Sequence, residues 1–243
     1  MRRIIYIPAW HVAAETGDSQ VASAKLSGYD IKDIQKRGIT YWEWVKELLE
    51  KEPLDPPKTR VYSEGAVLSE KEMRPILQKM ADKGSFHMGI TLDLLDKGAK
   101  YEPIEDFDLR DKQGRAMDAE EKTASKILPI WEQYQKEPSE ELERRLLHYW
   151  NRRVKISSLD HQLVTAIDKG IAFCINQSLQ EGETGILILG ADHRVSPWLD
   201  QDIKFQPLKE ELVELTDGDS GKNEINPQIE KETGSLGDSE AKG

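Results

Sequence analysis

The chain carries a single cysteine, Cys174, among 243 residues. That excludes an intrachain disulfide and a cysteine-based zinc knuckle. Long hydrophobic runs are also missing, and nothing approaches the roughly 18–20 apolar residues of a membrane span. The first apolar run, Ile4–Ile7, is cut by Pro8 and is too short for the apolar region of a signal peptide. Basic charge is scarce: 34 Lys and Arg stand against 45 Asp and Glu, a net charge of −11. A general nucleic-acid binder needs a basic face to displace counterions, so that class is excluded. No GxGxxG or Walker-type loop offers a phosphate cradle, and no GxSxG elbow offers a serine nucleophile. The expectation is a soluble, acidic, cytoplasmic protein with neither a nucleic-acid nor a membrane partner.

What is present is a pattern of strands alternating with helices. Arg3–Pro8, Thr59–Ser63, Ala99–Ile104, Gly185–Leu189 and Ile203–Leu208 read as strands bounded by turn residues. Gly185–Leu189 (GILIL) is aliphatic on both faces, as a central strand covered by helices on each side must be. Ile203–Leu208 alternates and suits an edge. Tyr41 to Leu49 marks a helix ending before Pro53, and Ser69 with Glu72 forms a capping box ahead of Met73 and Leu77, with Gly84 as the stop. Ser85 opens a helix through Leu95. Asp118 with Glu121 reads as the cap of another, kinked at Pro129. From Ser139 to about Leu179 the chain is helical, with Leu159, Leu163, Ile167, Ile171 and Ile175 on one stripe. This alternation predicts a three-layer α/β domain, its sheet mainly parallel, over residues 1–215. Residues 216–243 hold five Gly and seven acids with three large aliphatics, too little to offset the entropy of ordering, and read as a disordered acidic tail.

Ligands of open α/β sheets bind beyond the carboxyl ends of the strands, so the residues that end the strands are the candidates. The first strand leads to His11 and Glu15, the second to Glu64-Gly65, the third to Glu105-Asp106, and the strongest to Gly190-Ala191-Asp192-His193. His87 follows shortly after the second strand. Histidines number five in the chain, and two of them terminate the first and strongest strands. A neutral imidazole can deprotonate water or ligate a metal, and a carboxylate can orient the ring or share the metal. The primary set is therefore His11, Glu64 and His193, as catalytic residues or metal ligands, with Glu15, His87 and Glu105 second. His148 and His161 lie in the long helical stretch and read as its surface, and Cys174 reads as a buried, inert thiol.

The segments IIYIPAWH, RVYSEG and GILILGADH, with the helix AIDKGIAFCINQSL before the last strand, resemble the TraB, TIKI, ChaN-like and erythromycin-esterase superfamily. The pattern is similar to that of its uncharacterised prokaryotic members, through Ile7–His11, Tyr62–Gly65, Gly84–His87 and Ile104–Asp106. The resemblance implies hydrolysis as the shared chemistry. TIKI proteins are metal-dependent proteases, erythromycin esterases activate water on a histidine without metal, and ChaN-like members bind haem. One departure stands out: related sequences often carry Arg-Asp or Arg-Asn where this chain has Ile167-Asp168. Arg152, Arg153 and Arg194 are the residues that could replace that arginine.

Two functions follow from different classes. The first is a hydrolase of an ester or peptide bond, in which water is activated between His11, Glu64 and His193, with or without zinc or manganese, on a small-molecule or peptide substrate. The second is a non-catalytic protein that keeps the fold to bind a ligand, haem or a basic partner. The sequence does not indicate an oligomeric state.

Overall fold

The structure is a computed structural model that describes residues 1–9 and 31–209. His11, Glu15 and the stretch 216–243 lie outside the described residues. Five parallel strands form one sheet: β1 (Arg2–Ala9), β2 (Thr59–Ser63), β3 (Lys100–Tyr101), β4 (Thr184–Gly190) and β5 (Ile203–Pro207), in the spatial order β3-β2-β4-β1-β5. The expected mainly parallel, three-layer architecture is thus present, with β4 in the middle and β1 beside it. Ile186 pairs with Ile5 and Val61, and all three are fully buried. A strand with neighbours on both edges and helices on both faces has no solvent-facing positions. Its unbroken aliphatic run follows from that.

Helices α1 (Ile31–Lys51), α2 (Glu70–Asp82) and α3 (Phe86–Asp96) connect β1 to β3, while α4 (Phe107–Lys136) and α5 (Glu140–Ser178) connect β3 to β4. The capping box holds: Ser69 N–H donates to Glu72 Oε2 at 3.1 Å. Gly84, closing α2, has φ of +94°, a conformation L side chains rarely adopt. The carboxyl-terminal half of α5 covers the face bearing Ile4, Tyr62 and Leu187, where Tyr62 Oη and Ser178 Oγ bond at 2.9 Å. Gly185 belongs to this face, and a Cβ there would run into Ile4 and Tyr62.

Three expectations need correction. The third strand is two residues long rather than Ala99–Ile104: Glu102 N–H still donates to Val61 O at 3.1 Å, but Pro103 has no N–H to continue the ladder. The helix expected to start at Asp118 starts at Phe107, capped by Asp106, whose Oδ1 accepts Leu109 N–H at 3.0 Å. Pro129 stands inside that helix without ending it. Finally, Leu159 is half exposed, because the apolar stripe of α5 meets the sheet only from Ile167 onward. Before that point α5 packs along α4 as an antiparallel hairpin.

Candidate functional site

The connection leaving β1 runs towards β2, and the connection leaving β4 runs to β5 on the opposite side. The carboxyl ends of β2, β4 and β1 therefore frame the place where crossover direction reverses, the position at which such sheets bind ligands. Glu64 follows β2 directly and still belongs to its ladder, since its N–H donates to Ile188 O at 2.9 Å. Its side chain reaches across to β4, where Gly190 N–H donates to Oε2 at 3.0 Å. A Cβ on Gly190 would stand 3.5 Å from that oxygen and 3.8 Å from the His193 ring, in ordinary contact with both, so the two side chains meet over this residue.

Glu105 approaches the same spot from the loop after β3. Gly65 N–H donates to its Oε1 at 3.0 Å, a direction opened by the positive φ of +80° at Gly65. Arg110, on the first turn of α4, joins the two carboxylates: its Nη2 donates to Glu64 Oε1 at 2.5 Å and its Nε stands 3.2 Å from Glu105 Oε2. The second approach is an ion pair without hydrogen-bond geometry, so Glu105 Oε2 is buried with no hydrogen bond. Arg110 Nη1 is held by Gln113 Oε1 at 2.9 Å. Burial pushes the Glu105 carboxyl above its usual range and the Glu64 charge adds to this, against the pull of Arg110, the Gly65 N–H and His193.

His193, three residues past β4, is buried together with Asp168 of α5, their side chains 6% and 4% exposed. Its Nδ1 is 2.6 Å from Asp168 Oδ1, and the other carboxylate oxygen accepts Arg194 N–H at 2.8 Å. One aspartate thus orients the imidazole and pins the backbone that carries it. No hydrogen bond to Nε2 is found among the described residues. Burial by itself would lower the imidazole pKa. The Asp168 hydrogen bond and the charges of Glu64, Asp168 and Glu105 outweigh it and raise the pKa above its ordinary value.

Of the sequence candidates, Glu64, Glu105 and His193 come together. His87 is buried at the start of α3, its Nδ1 3.4 Å from Ser85 Oγ and its ring 5.9 Å from that of Trp42. His11 and Glu15 fall outside the described residues. Two members of the cluster escaped the sequence reading. In the sequence Asp168 stands out only as the neighbour of Ile167, and its place on the apolar stripe of the helix before β4 is the available signal. Arg110 had no local signal, because the acids it joins lie 46 and 5 residues away in the chain. A guanidinium reaches the site carboxylates from α4, and Ile167 is buried in the core. Arg153, one of the expected substitutes, pairs with Glu120.

A metal reading asks for free donors. Both Glu64 oxygens are engaged by Arg110 and Gly190, and Nδ1 of His193 is taken by Asp168. Among the described residues no group of three or more His, Cys, Asp or Glu is arranged to hold a metal ion. The Asp168 bond to Nδ1 orients the His193 ring with Nε2 left over, an arrangement that serves a general base and a metal ligand alike. Comparison with known proteins finds no matching family model, curated protein or solved structure.

Proposed function

We propose that the protein is a hydrolase of an ester or peptide bond in which His193, oriented by Asp168, deprotonates the attacking water. The observation that carries this is the buried His193–Asp168 hydrogen bond of 2.6 Å at the carboxyl edge of the sheet. With Nδ1–H donated to Asp168, Nε2 is the nitrogen left to accept a proton. Water would give its proton to Nε2 as its oxygen bonds to the substrate carbonyl carbon. The imidazolium so formed, facing the charges of Asp168, Glu64 and Glu105, is stabilised as it appears. Collapse of the intermediate breaks the bond to the leaving group, which takes the proton back from Nε2.

A membrane-spanning helix does not occur among the described residues, and a cytoplasmic location accords with the lone, half-buried thiol of Cys174. The non-catalytic reading draws on one feature, the closure of Arg110 over both carboxylates, which would serve a silent site equally well. The test is turnover of chromogenic aryl esters and anilides by the wild type, His193→Ala and Asp168→Asn. Losses of about 10²–10⁴-fold in both variants are expected. Equal rates in all three proteins would reject the mechanism, and saturable ligand binding with no turnover would favour the binding protein.

A further inference from the structure

Beside His193 lies a cavity of about 250 Å³ whose floor and walls are apolar. Leu187 and Leu189 of β4 form the floor, and Tyr6 of β1 stacks on Phe205 of β5 with ring centroids 5.5 Å apart and planes at 28°. This is the β1–β5 side of the sheet face that α5 covers over Tyr62. The segment after β4 closes the cavity with His193, Arg194 and Ser196, so the imidazole of the dyad is also part of its wall.

The charge of this cavity runs against the rest of the molecule. In a chain of net charge −11, no acid among the described residues lines it, and Arg194 does. Arg194 is exposed and forms no ion pair among the described residues. Its Nη1 donates to Ala191 O at 2.6 Å. Asp168 holds the Arg194 N–H and the His193 ring at once, so the backbone that carries the arginine is fixed beside the imidazole. We infer that this cavity is a subsite for a small organic carboxylate, its aromatic ring or short branched chain on Tyr6, Phe205 and Leu189 and its carboxylate on Arg194. The volume falls just below the roughly 300–1,000 Å³ of drug-sized sites, which limits the occupant to one ring or a short chain. A carboxylate suits Arg194 because its two oxygens match the guanidinium fork. The inference deepens the hydrolase reading by naming the acid part of the substrate, but the binding itself does not require that His193 be catalytic.

The experiment uses the full chain and two probes of equal shape, phenylacetate and neutral phenylacetamide, with the His193 imidazole resonances as readout. Phenylacetate is expected to shift them saturably, with the amide about tenfold weaker for want of a charge-assisted bond. Arg194→Gln should bring the acid down to the level of the amide. Ser196→Trp, placed at the rim to fill the cavity, should abolish both responses, and Phe205→Ala should weaken both if the tryptophan disturbs the fold. Equal affinity for acid and amide, or no response at about 10 mM phenylacetate, overturns the inference. The two readings fail separately. Binding as expected without turnover of phenylacetate esters removes the hydrolase and leaves the subsite. Ester turnover unchanged in folded Ser196→Trp removes the subsite and leaves the hydrolase.

Discussion

Asp168 is one carboxylate with two duties, and replacing it separates orientation from charge. Asp168→Asn keeps the shape but removes the strongest influence raising the His193 pKa, leaving burial to dominate. The imidazole of this variant should titrate well below that of the wild type, as a pH series of its ring resonances would show. The sign for stability follows from the wild-type direction. A histidine whose folded pKa is raised contributes stability that is complete below its unfolded value and is lost as pH rises through the folded value. Wild type should therefore lose its advantage over Asp168→Asn as pH rises through that window, and an advantage that grew instead would contradict the assignment. Turnover should do the opposite, increasing with pH as Nε2 loses its proton. Arg110 poses a different question, because it neutralises two largely buried acids. Arg110→Met leaves both without their cation and should cost about 2–4 kcal/mol at neutral pH in a denaturant titration. Adding Glu105→Gln should recover part of that loss, since it removes the charge whose burial is least compensated.

Among the elements, β4 and α4 show opposite degrees of legibility. GILIL reads as a central strand because every position is apolar, and both neighbours confirm it. Its one small residue, Gly185, is required by Ile4 and Tyr62 on the covered face. Gly185→Ala should destabilise the protein by about 1–3 kcal/mol through overpacking, measurable as a fall in melting temperature, and an unchanged value would mean that the two side chains give way freely. The first half of α4 is hidden from a hydrophobicity pattern. Its buried positions are Gln113, Ala116, Thr123 and Ile130, spaced by sevens from Ala116 onward. Small and polar residues fill that seam against α5, so the period is present without the apolarity that would reveal it. From the sequence, Asp106 reads as part of the strand end beside Glu105. In the fold it starts the helix that delivers Arg110.

At the scale of the whole molecule, the sheet order decides what meets what. The chain lays down β1, β2 and β3 before β4 enters between β1 and β2. Only then do Glu64 and His193, far apart in sequence, share Gly190 as a neighbour. The composition of 216–243 predicts that this stretch adds nothing to the core. A chain ending at Leu215 is expected to melt within about 2 °C of the full chain, and a larger drop would show that the acidic segment packs on the domain.

The sequence by itself determined the α/β class, the parallel sheet with its central β4, most helix boundaries, and the presence of Glu64, Glu105 and His193 at strand ends. Those features are encoded locally, in apolar runs, caps and glycine stops, and a reader needs only neighbours in the chain to see them. The tertiary structure alone decided which acid serves His193, which arginine joins the carboxylates, and that His87 lies beside Trp42. These depend on a helix crossing the sheet at one particular turn. No periodicity records which of several charged residues on α4 or α5 will stand above β2 and β4 once the layers close.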